Sequence, residues 1–174
     1  MRDSPLTNWH ACLLLCLLVL CSRASQADES RQGLARFVLE WGQHGSDAGE
    51  FDVPIGIVVT TSGNLLVSDF YNARVQCFTS EGKHVATHPV LPNPGGMALD
   101  GDGNIYLSHF SAMRADEEKK PDRISVYSPQ GELLRQWGRT GTGDGEFDYP
   151  GGIAISRAGH VYVADQTNRR VQVF

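Results

Sequence analysis

The feature that most constrains this chain is a segment of 38 residues that occurs twice. Residues 41–78 align without a gap on residues 137–174, and 18 of the 38 aligned positions are identical, whereas unrelated segments would share about two or three. The two segments begin 96 residues apart. That distance is too long for one unit of a common repeat and fits two units of roughly 40 to 50 residues. The sequence therefore predicts a repeat array with a third copy between the two.

The third copy begins near Pro94. The segment PGGMALDGDGNIYLSH from Pro94 follows PIGIVVTTSGNLLVSD from Pro54 at an offset of 40, and RISVY from Arg123 follows RVQCF from Arg74 at an offset of 49. The middle copy therefore carries nine extra residues, which we expect within Phe110–Asp122.

Each copy is a series of short apolar runs separated by turn residues. In the first copy the runs GIVVT, LLVSD, RVQCF and HVATH alternate with SGN, YNA and SEGK, a pattern of strands of four to six residues. No window after residue 27 has the 3.6-residue spacing of an amphipathic helix. Four strands in a unit of about 45 residues form a blade, and repeated blades form a β-propeller. Runs such as IVV and IYL are apolar on both faces, which predicts that each sheet packs between two others.

The third copy resembles a known repeat. The segments PGGIAI, GHVYVAD and NRRVQVF within residues 150–174, preceded by WG and GEF, are similar to the NHL repeat, and the resemblance covers nearly all of the chain after residue 27. It implies an all-β propeller of four-stranded antiparallel blades, typically six, of which this chain would supply about three. The middle copy departs from the pattern, because His109 stands where the other copies have Asp69 and Asp165.

The expected organisation is a signal peptide over residues 1–27 and propeller blades over residues 28–174. The copies span about residues 41–83, 84–131 and 132–174. Residues 35–41 then form an additional outer strand at the start, and the third blade lacks one strand at the end. In a closed propeller this arrangement lets the first strand complete the last blade. Two alternatives follow: the chain is part of a longer propeller, or a homodimer completes a six-bladed ring.

The first 27 residues are typical of an exported protein. ACLLLCLLVL at residues 11–20 is an apolar run of ten residues, too short to span a membrane and right for a signal-peptide core. Ser25 and Ala27 supply the small residues of a cleavage site before Asp28. We therefore expect a secreted or extracytoplasmic protein, with lipid anchoring at Cys21 as the alternative. Cys77 is then the one cysteine left after cleavage, and we expect it to be a small buried hydrophobic residue.

Charge argues against one class of partner. The formal net charge is −5 and becomes −6 when Arg2, Arg23 and Asp3 are removed with the leader. Nucleic-acid binding depends largely on cationic side chains that neutralise phosphates, so no nucleic-acid partner is expected. No transmembrane span is expected after the leader.

The order of strands predicts a binding surface. In an antiparallel meander, the connections between second and third strands lie at the same end as the long loops between blades. Loops at one end of a scaffold commonly carry function. The predicted ligand-binding face is formed by six residues, for a protein, peptide or glycan ligand: Phe70, Tyr71, Asn72, His109, Gln166 and Thr167.

Residues suited to other chemistry have simpler explanations. Residues 100–104 (DGDGN) resemble the start of a calcium loop. Such a loop needs Gly at position six and a carboxylate at position twelve, where this chain has Ile105 and Ser111, so a hairpin turn is favoured.

The glycine-rich residues 141–145 are not followed by the Gly-Lys-Ser/Thr of a phosphate loop. His84 and His88 lie about 13 Å apart on a strand, too far to share a metal. His109 is interpreted as a solvated loop histidine.

A second group recurs in the first and third copies, namely Asp69 with Asn72 and Arg74, and their equivalents in the third copy. Recurrence favours a turn that is built many times over a site that is built once, because Asp and Asn at this spacing bond to their own backbone. We therefore predict no catalytic residue, metal or cofactor.

The sequence thus favours an exported binding or protein-interaction module without catalysis of its own. The family resemblance leaves two alternatives open. One is part of a propeller lyase or lactonase whose metal and catalytic residues lie largely in blades outside this chain. The other is an RNA-binding NHL domain, which the leader and the negative charge disfavour.

Overall fold

The structure is a computed structural model that describes residues 35–111 and 121–174. The signal peptide predicted at residues 1–27, the alternative anchor at Cys21 and residues 112–120 of the segment expected to hold the insertion lie outside the described residues. The chain divides into two units, Met1–Leu39 and Glu40–Phe174. Residues 35–39 contain no helix or strand, and the propeller blades all lie in the second unit.

Eleven strands make up the secondary structure of the described residues, which contain no helix. In chain order the strands are β1 (Pro54–Val59), β2 (Leu65–Asp69), β3 (Arg74–Phe78), β4 (His84–Pro89), β5 (Pro94–Leu99), β6 (Ile105–His109), β7 (Arg123–Tyr127), β8 (Leu133–Trp137), β9 (Pro150–Ile155), β10 (Val161–Asp165) and β11 (Arg170–Val173).

The strands form three antiparallel sheets with consecutive neighbours. The first two blades have the orders β1-β2-β3-β4 and β5-β6-β7-β8, and the third has β9-β10-β11. The predicted all-β class and partial propeller are confirmed. The boundaries of the sequence copies and of the blades differ by one strand. β4 begins the second copy in the sequence, but it pairs with β3 and so completes the first blade. The strand predicted over residues 35–41 does not form, since a strand needs a hydrogen-bonded partner strand to exist.

The blades pack through their inner strands. β1 lies against β5, and β5 lies against β9. Between the first two blades the buried core consists of Leu66, Val75, Cys77, Met97, Ile105, Leu107 and Tyr127. Between the second and third blades it consists of Tyr106, Ile124, Val126, Phe147, Val161 and Val163. The prediction that sheets are buried on both faces holds for the middle blade, whereas Ile57 and Val59 of β1 are 58% and 65% exposed.

Serine and glycine set the distance between inner strands. The Ser68 hydroxyl accepts a hydrogen bond from Gly56 N in its own blade and donates to Gly95 O in the next, both at 2.7 Å. A Cβ atom on Gly56 would lie 2.6 Å from that same Gly95 oxygen, closer than real Cβ contacts. Ser108 repeats the bond to Gly151 O at 3.0 Å. Neighbouring blades therefore approach backbone to backbone, which fixes the loops above them.

Candidate ligand-binding face

The candidate face is the end of the blades that carries the β2–β3, β6–β7 and β10–β11 connections together with the loops before β1, β5 and β9. We call it the loop face. The connections of the first and third blades are held by the same set of side chains, and that of the middle blade by a different set. How those side chains are used decides which groups remain for a ligand.

A buried aspartate organises the first of these connections. Asp69 is fully buried, and its carboxylate accepts hydrogen bonds from Asp52 N at 2.7 Å, Asn72 Nδ2 at 2.8 Å and Arg74 Nε at 2.8 Å. Asn72 also donates to Gly45 O at 2.9 Å. The acid, amide and cation therefore bond to one another and to the backbone of the loop before β1. The predicted structural role is confirmed, but the backbone partners lie in this neighbouring loop and not in the β2–β3 turn itself.

Arg74 extends this arrangement to the loop before β1. Its guanidinium donates to the carbonyl oxygens of Ser46 at 2.6 Å, Asp47 at 3.0 Å and Glu50 at 2.8 Å. A planar guanidinium has five donors in a fixed geometry, so a single side chain holds three carbonyl groups of one loop. The loop is thereby fixed before any ligand arrives.

The third blade repeats the pattern with Asp165, Asn168 and Arg170. Arg170 Nε donates to the Asp165 carboxylate at 2.8 Å, and Asn168 donates to Gly141 O at 2.9 Å. Burial on its own raises the pKa of Asp165, but hydrogen bonds from Asp148 N, Arg170 and Asn168 outweigh burial and hold that pKa below its usual value. The carboxylate is a stable anion that belongs to the fold.

The middle blade replaces this ion pair with a neutral histidine. His109 is 2% exposed, which corrects its interpretation as a solvated loop residue. Its Nδ1 donates to Pro92 O at 2.9 Å, so its Nε2 accepts from the Ser125 hydroxyl. Burial is the main cause that lowers the pKa of His109 to about 4, and the nearby Arg123 adds to the effect. In the sequence, proximity to the insertion indicates that His109 is exposed. His109 is instead the last residue of β6, and its ring is buried between the loop before β5 and β7.

A second residue of the middle blade was not identified from the sequence. Asp122 is fully buried, and its carboxylate accepts from Ser111 N at 3.1 Å, Tyr149 N at 3.2 Å and Thr140 Oγ1 at 2.7 Å. It therefore ties both ends of the insertion to the loop before β9. Its position directly before Arg123, the equivalent of Arg74, was the one signal available.

Four aromatic rings cross the loop face from the first blade to the third, and we call them the aromatic row. The ring centroids lie 4.9 Å apart for Tyr71 and Phe70, 5.1 Å for Phe70 and Phe110, and 4.2 Å for Phe110 and Tyr149. Phe70 and Phe110 are 0% and 3% exposed. Tyr71 and Tyr149 are half-buried and form the accessible ends of the row.

The six residues predicted for the ligand-binding face therefore lie at different depths. Gln166 and Thr167 are exposed, and Tyr71 is half-buried. Phe70 and His109 are buried and support the face from below, and Asn72 is half-buried and donates a hydrogen bond to Gly45 O in the loop before β1.

The motifs considered for metal or phosphate have internal partners. Asp100 Oδ1 accepts from the amides of Asp102 and Asn104 at 3.0 and 2.9 Å, which makes residues 100–104 the predicted hairpin turn. In the glycine-rich loop, Gly143 N donates to the Glu146 carboxylate at 2.9 Å. Residues 35–111 and 121–174 hold no group of three or more His, Cys, Asp or Glu side chains arranged for a metal ion. Nor do they include a helix long and apolar enough to cross a membrane.

Comparison with known proteins agrees with this geometry. The family profile described as NHL repeat matches residues 51–78 and 147–174. Each match runs from the loop before the inner strand to the third strand of a blade. The middle copy, with His109 and the insertion, lies outside both matched ranges.

The chain is also similar to longer proteins. It is 22% identical over 135 residues to "Protein brain tumor" of Drosophila melanogaster, a match covering 78% of this chain and 12% of that protein. It is 30% identical over 102 residues to human "NHL repeat-containing protein 3", covering 58% and 28% of the two chains. With rat "Peptidylglycine alpha-amidating monooxygenase" it shares 28% identity over 137 residues, covering 71% and 14%. The chain thus matches less than a third of each relative's length.

A solved structure supports the same fold. A protein of unknown function from Bacteroides thetaiotaomicron superimposes with a TM-score of 0.57 at 16% identity, covering 69% of this chain and 34% of that one. At this identity the likeness concerns the fold alone. The repeated blades, the profile matches and the similarity to relatives with NHL repeats together show that this chain contains NHL repeats at residues 51–78 and 147–174.

Proposed function

We propose that this chain is an exported binding module whose loop face holds a protein, peptide or glycan ligand. The observation that carries the proposal is the aromatic row on a face whose loops are already fixed by buried hydrogen bonds. A rigid surface loses little conformational entropy when a ligand binds, so more of the contact energy appears as affinity. The acid, amide and cation of each well-formed blade serve the loops, which favours recognition over catalysis.

The chemistry of the face favours a peptide with an apolar side chain. Tyr71 and Tyr149 offer ring surface with a hydroxyl, a combination that is enriched at interfaces because one end is apolar and the other polar. Gln166 and Thr167 are exposed on the third blade, where Gln166 N donates to Tyr149 O, and they supply an amide and a hydroxyl. Their donors and acceptors suit a peptide backbone or a sugar hydroxyl.

The test compares two tyrosines of the loop face with one elsewhere. Binding partners are selected from a peptide library and a glycan array using the purified protein. Tyr71→Ala and Tyr149→Asn are expected to weaken the selected interaction about tenfold or more, as for a residue that anchors an interface. Asn is chosen at position 149 because φ is 61° there and Asn tolerates that conformation.

Tyr162→Ala is the matched control, because Tyr162 is 38% exposed on β10, away from the loops. Equal binding by all three variants and the parent would contradict the proposal. The second candidate is part of a propeller lyase or lactonase, the alternative that the resemblance to the NHL repeat leaves open. A stoichiometric metal ion in the purified protein, with turnover of a substrate, would favour that candidate instead.

A further inference from the structure

A large cleft lies between the first two blades, at the end of the strands opposite the loop face. It has a volume of about 910 Å³, within the range of pockets that bury small organic ligands. Apolar side chains from both blades form its walls, namely Val59, Leu66, Cys77, Ala86, Leu99 and Ile105. The β1–β2, β5–β6 and β7–β8 turns surround its mouth. This site is separate from the aromatic row and does not depend on the function proposed for it.

The next interface in the same chain shows why the cleft is open. Strand register identifies equivalent positions, because Cys77 pairs with Leu66 and Ala86 just as Val126 pairs with Tyr106 and Arg135. By the same register, His88 is equivalent to Trp137. At all three neighbouring positions the first blade therefore has the smaller side chain: Leu66 for Tyr106, Ala86 for Arg135 and His88 for Trp137.

In the second interface these larger side chains fill part of the corresponding space. The guanidinium carbon of Arg135 lies 5.5 Å from the Tyr106 ring centre and 5.9 Å from that of Trp137. The space that remains there is about 350 Å³, against about 910 Å³ between the first two blades. In the second interface, the position equivalent to the cleft is thus occupied by the side chain of Arg135, an alkyl stem that ends in a cation.

The charges of the two interfaces are reversed. The β5–β6 turn places Asp100 and Asp102 at the cleft, whereas the equivalent residues of the β9–β10 turn are Ser156 and Ala158. No lysine or arginine of the described residues lines the cleft. The interface that lacks the arginine therefore has two carboxylates, and the interface that has the arginine lacks both. A carboxylate near an apolar wall attracts a cation more strongly than it would in free water, because the wall lowers the local dielectric constant.

We propose that this inter-blade cleft binds a small organic cation with an apolar body, such as an aryl-alkylamine. The apolar body would lie against Leu66, Ala86 and Ile105, and the ammonium group would face Asp100 and Asp102. The ligand would occupy the volume that Arg135 and its aromatic neighbours fill in the second interface.

The first experiment uses three probes with one apolar body and different head groups. The probes are 1-naphthylmethylamine, 1-naphthalenemethanol and 1-naphthoate, titrated into the full chain at pH 7 and followed by fluorescence. We expect saturable binding of the amine, weaker binding of the alcohol by about fivefold, and weaker binding still of the carboxylate. Fivefold is the order of effect that partly exposed charges give. Bound amine should also slow alkylation of Cys77, measured by mass spectrometry of the peptide that contains it.

Two variants separate the cleft from other surfaces. Asp102→Asn should remove most of the preference for the amine while leaving the alcohol unchanged, and Asp144→Asn is the control, because it removes an equal charge from an exposed residue outside the cleft. The double variant Ala86→Arg with His88→Trp introduces two of the three larger side chains of the second interface and should abolish binding of all three probes. Ala86→Leu fills part of the cleft by a smaller change, for use if the double variant does not fold.

The proposal is overturned if no probe binds saturably, or if the amine and the carboxylate bind equally well. Undiminished binding in a folded Ala86→Leu variant, or any binding in a folded double variant, would also overturn it. Cys77 alkylation at an unchanged rate in the presence of saturating amine would do the same. Binding of the amine lost equally in Asp102→Asn and Asp144→Asn would show a general charge effect and refute the site.

Discussion

Acidification should destabilise this protein through His109. The side chain is buried and neutral, with Nδ1 donating to Pro92 O and Nε2 accepting from Ser125. Protonation would place a proton on Nε2, which now accepts a hydrogen bond from the Ser125 hydroxyl. It would also place a positive charge in a desolvated position near Arg123. The folded state therefore resists protonation, and its His109 has a pKa of about 4.

The magnitude follows from the difference in proton binding between the two states. An unfolded histidine has a pKa of about 6.5, so between pH 6.5 and pH 4 the unfolded state binds more protons and stability rises with pH. The contribution is complete above pH 6.5 and is lost as pH falls towards the folded pKa. The full difference corresponds to about 3 kcal/mol of unfolding free energy, and about 2 kcal/mol of it should be lost between pH 7.5 and pH 5.

The measurement is urea unfolding at pH 7.5, 6 and 5, followed by tryptophan fluorescence. His109→Asn retains a donor for Pro92 O but loses the bond with Ser125, so its unfolding free energy at pH 7.5 should be lower by about 1–2 kcal/mol. Because asparagine cannot titrate, the unfolding free energy of this variant should depend much less on pH in this range. His160→Asn is the control, since His160 is exposed and its replacement should leave the pH dependence of the parent unchanged.

The reasoning would be refuted by a parent protein with equal unfolding free energies at pH 7.5 and pH 5. It would also be refuted if His109→Asn kept the full pH dependence of the parent. In either case His109 could not be the buried neutral group that the hydrogen bonds imply.

Two further predictions concern the repeat itself. Gly96→Ala should lower the unfolding free energy by about 1–3 kcal/mol, because the new Cβ would collide with the Gly151 carbonyl of the next blade. Gly152→Ala should change it little, because a Cβ added there would meet no atom within 4 Å. Similar losses for both variants in thermal unfolding would contradict close backbone packing between blades. Arg74→Lys should lower the unfolding free energy by about 1–3 kcal/mol, since one ammonium cannot replace the bonds to Asp69 and three carbonyl groups. Arg157→Lys on the exposed β9–β10 turn is the control and should leave the unfolding free energy unchanged. Faster hydrogen exchange confined to residues 42–52 of the Arg74→Lys variant would locate the effect in the loop before β1.

Much of the fold could be predicted from local sequence. Runs of four to six apolar residues between Gly, Asn and Asp specify strands and turns wherever they occur, so the repeat predicted the blades and the insertion between β6 and β7. The structural role of Asp69, Asn72 and Arg74 was also predictable, because recurrence at a fixed spacing distinguishes a turn from a site that is built once. Burial of Cys77 followed from its place in an apolar strand, and it is 8% exposed.

Properties of the candidate sites depended on contacts between distant residues. Phe70 and His109 look like loop residues in the sequence, but the neighbouring blade supplies Phe110 and the loop before β5 supplies Pro92 O, so both are buried. The same holds for the cleft, whose volume depends on side chains of two blades at once. The sequence by itself determined the strands, the turns and their repetition, because these follow from local spacing. The tertiary structure alone decided which surfaces are covered and which side chains a ligand can reach, because burial depends on what packs against a residue from elsewhere in the chain.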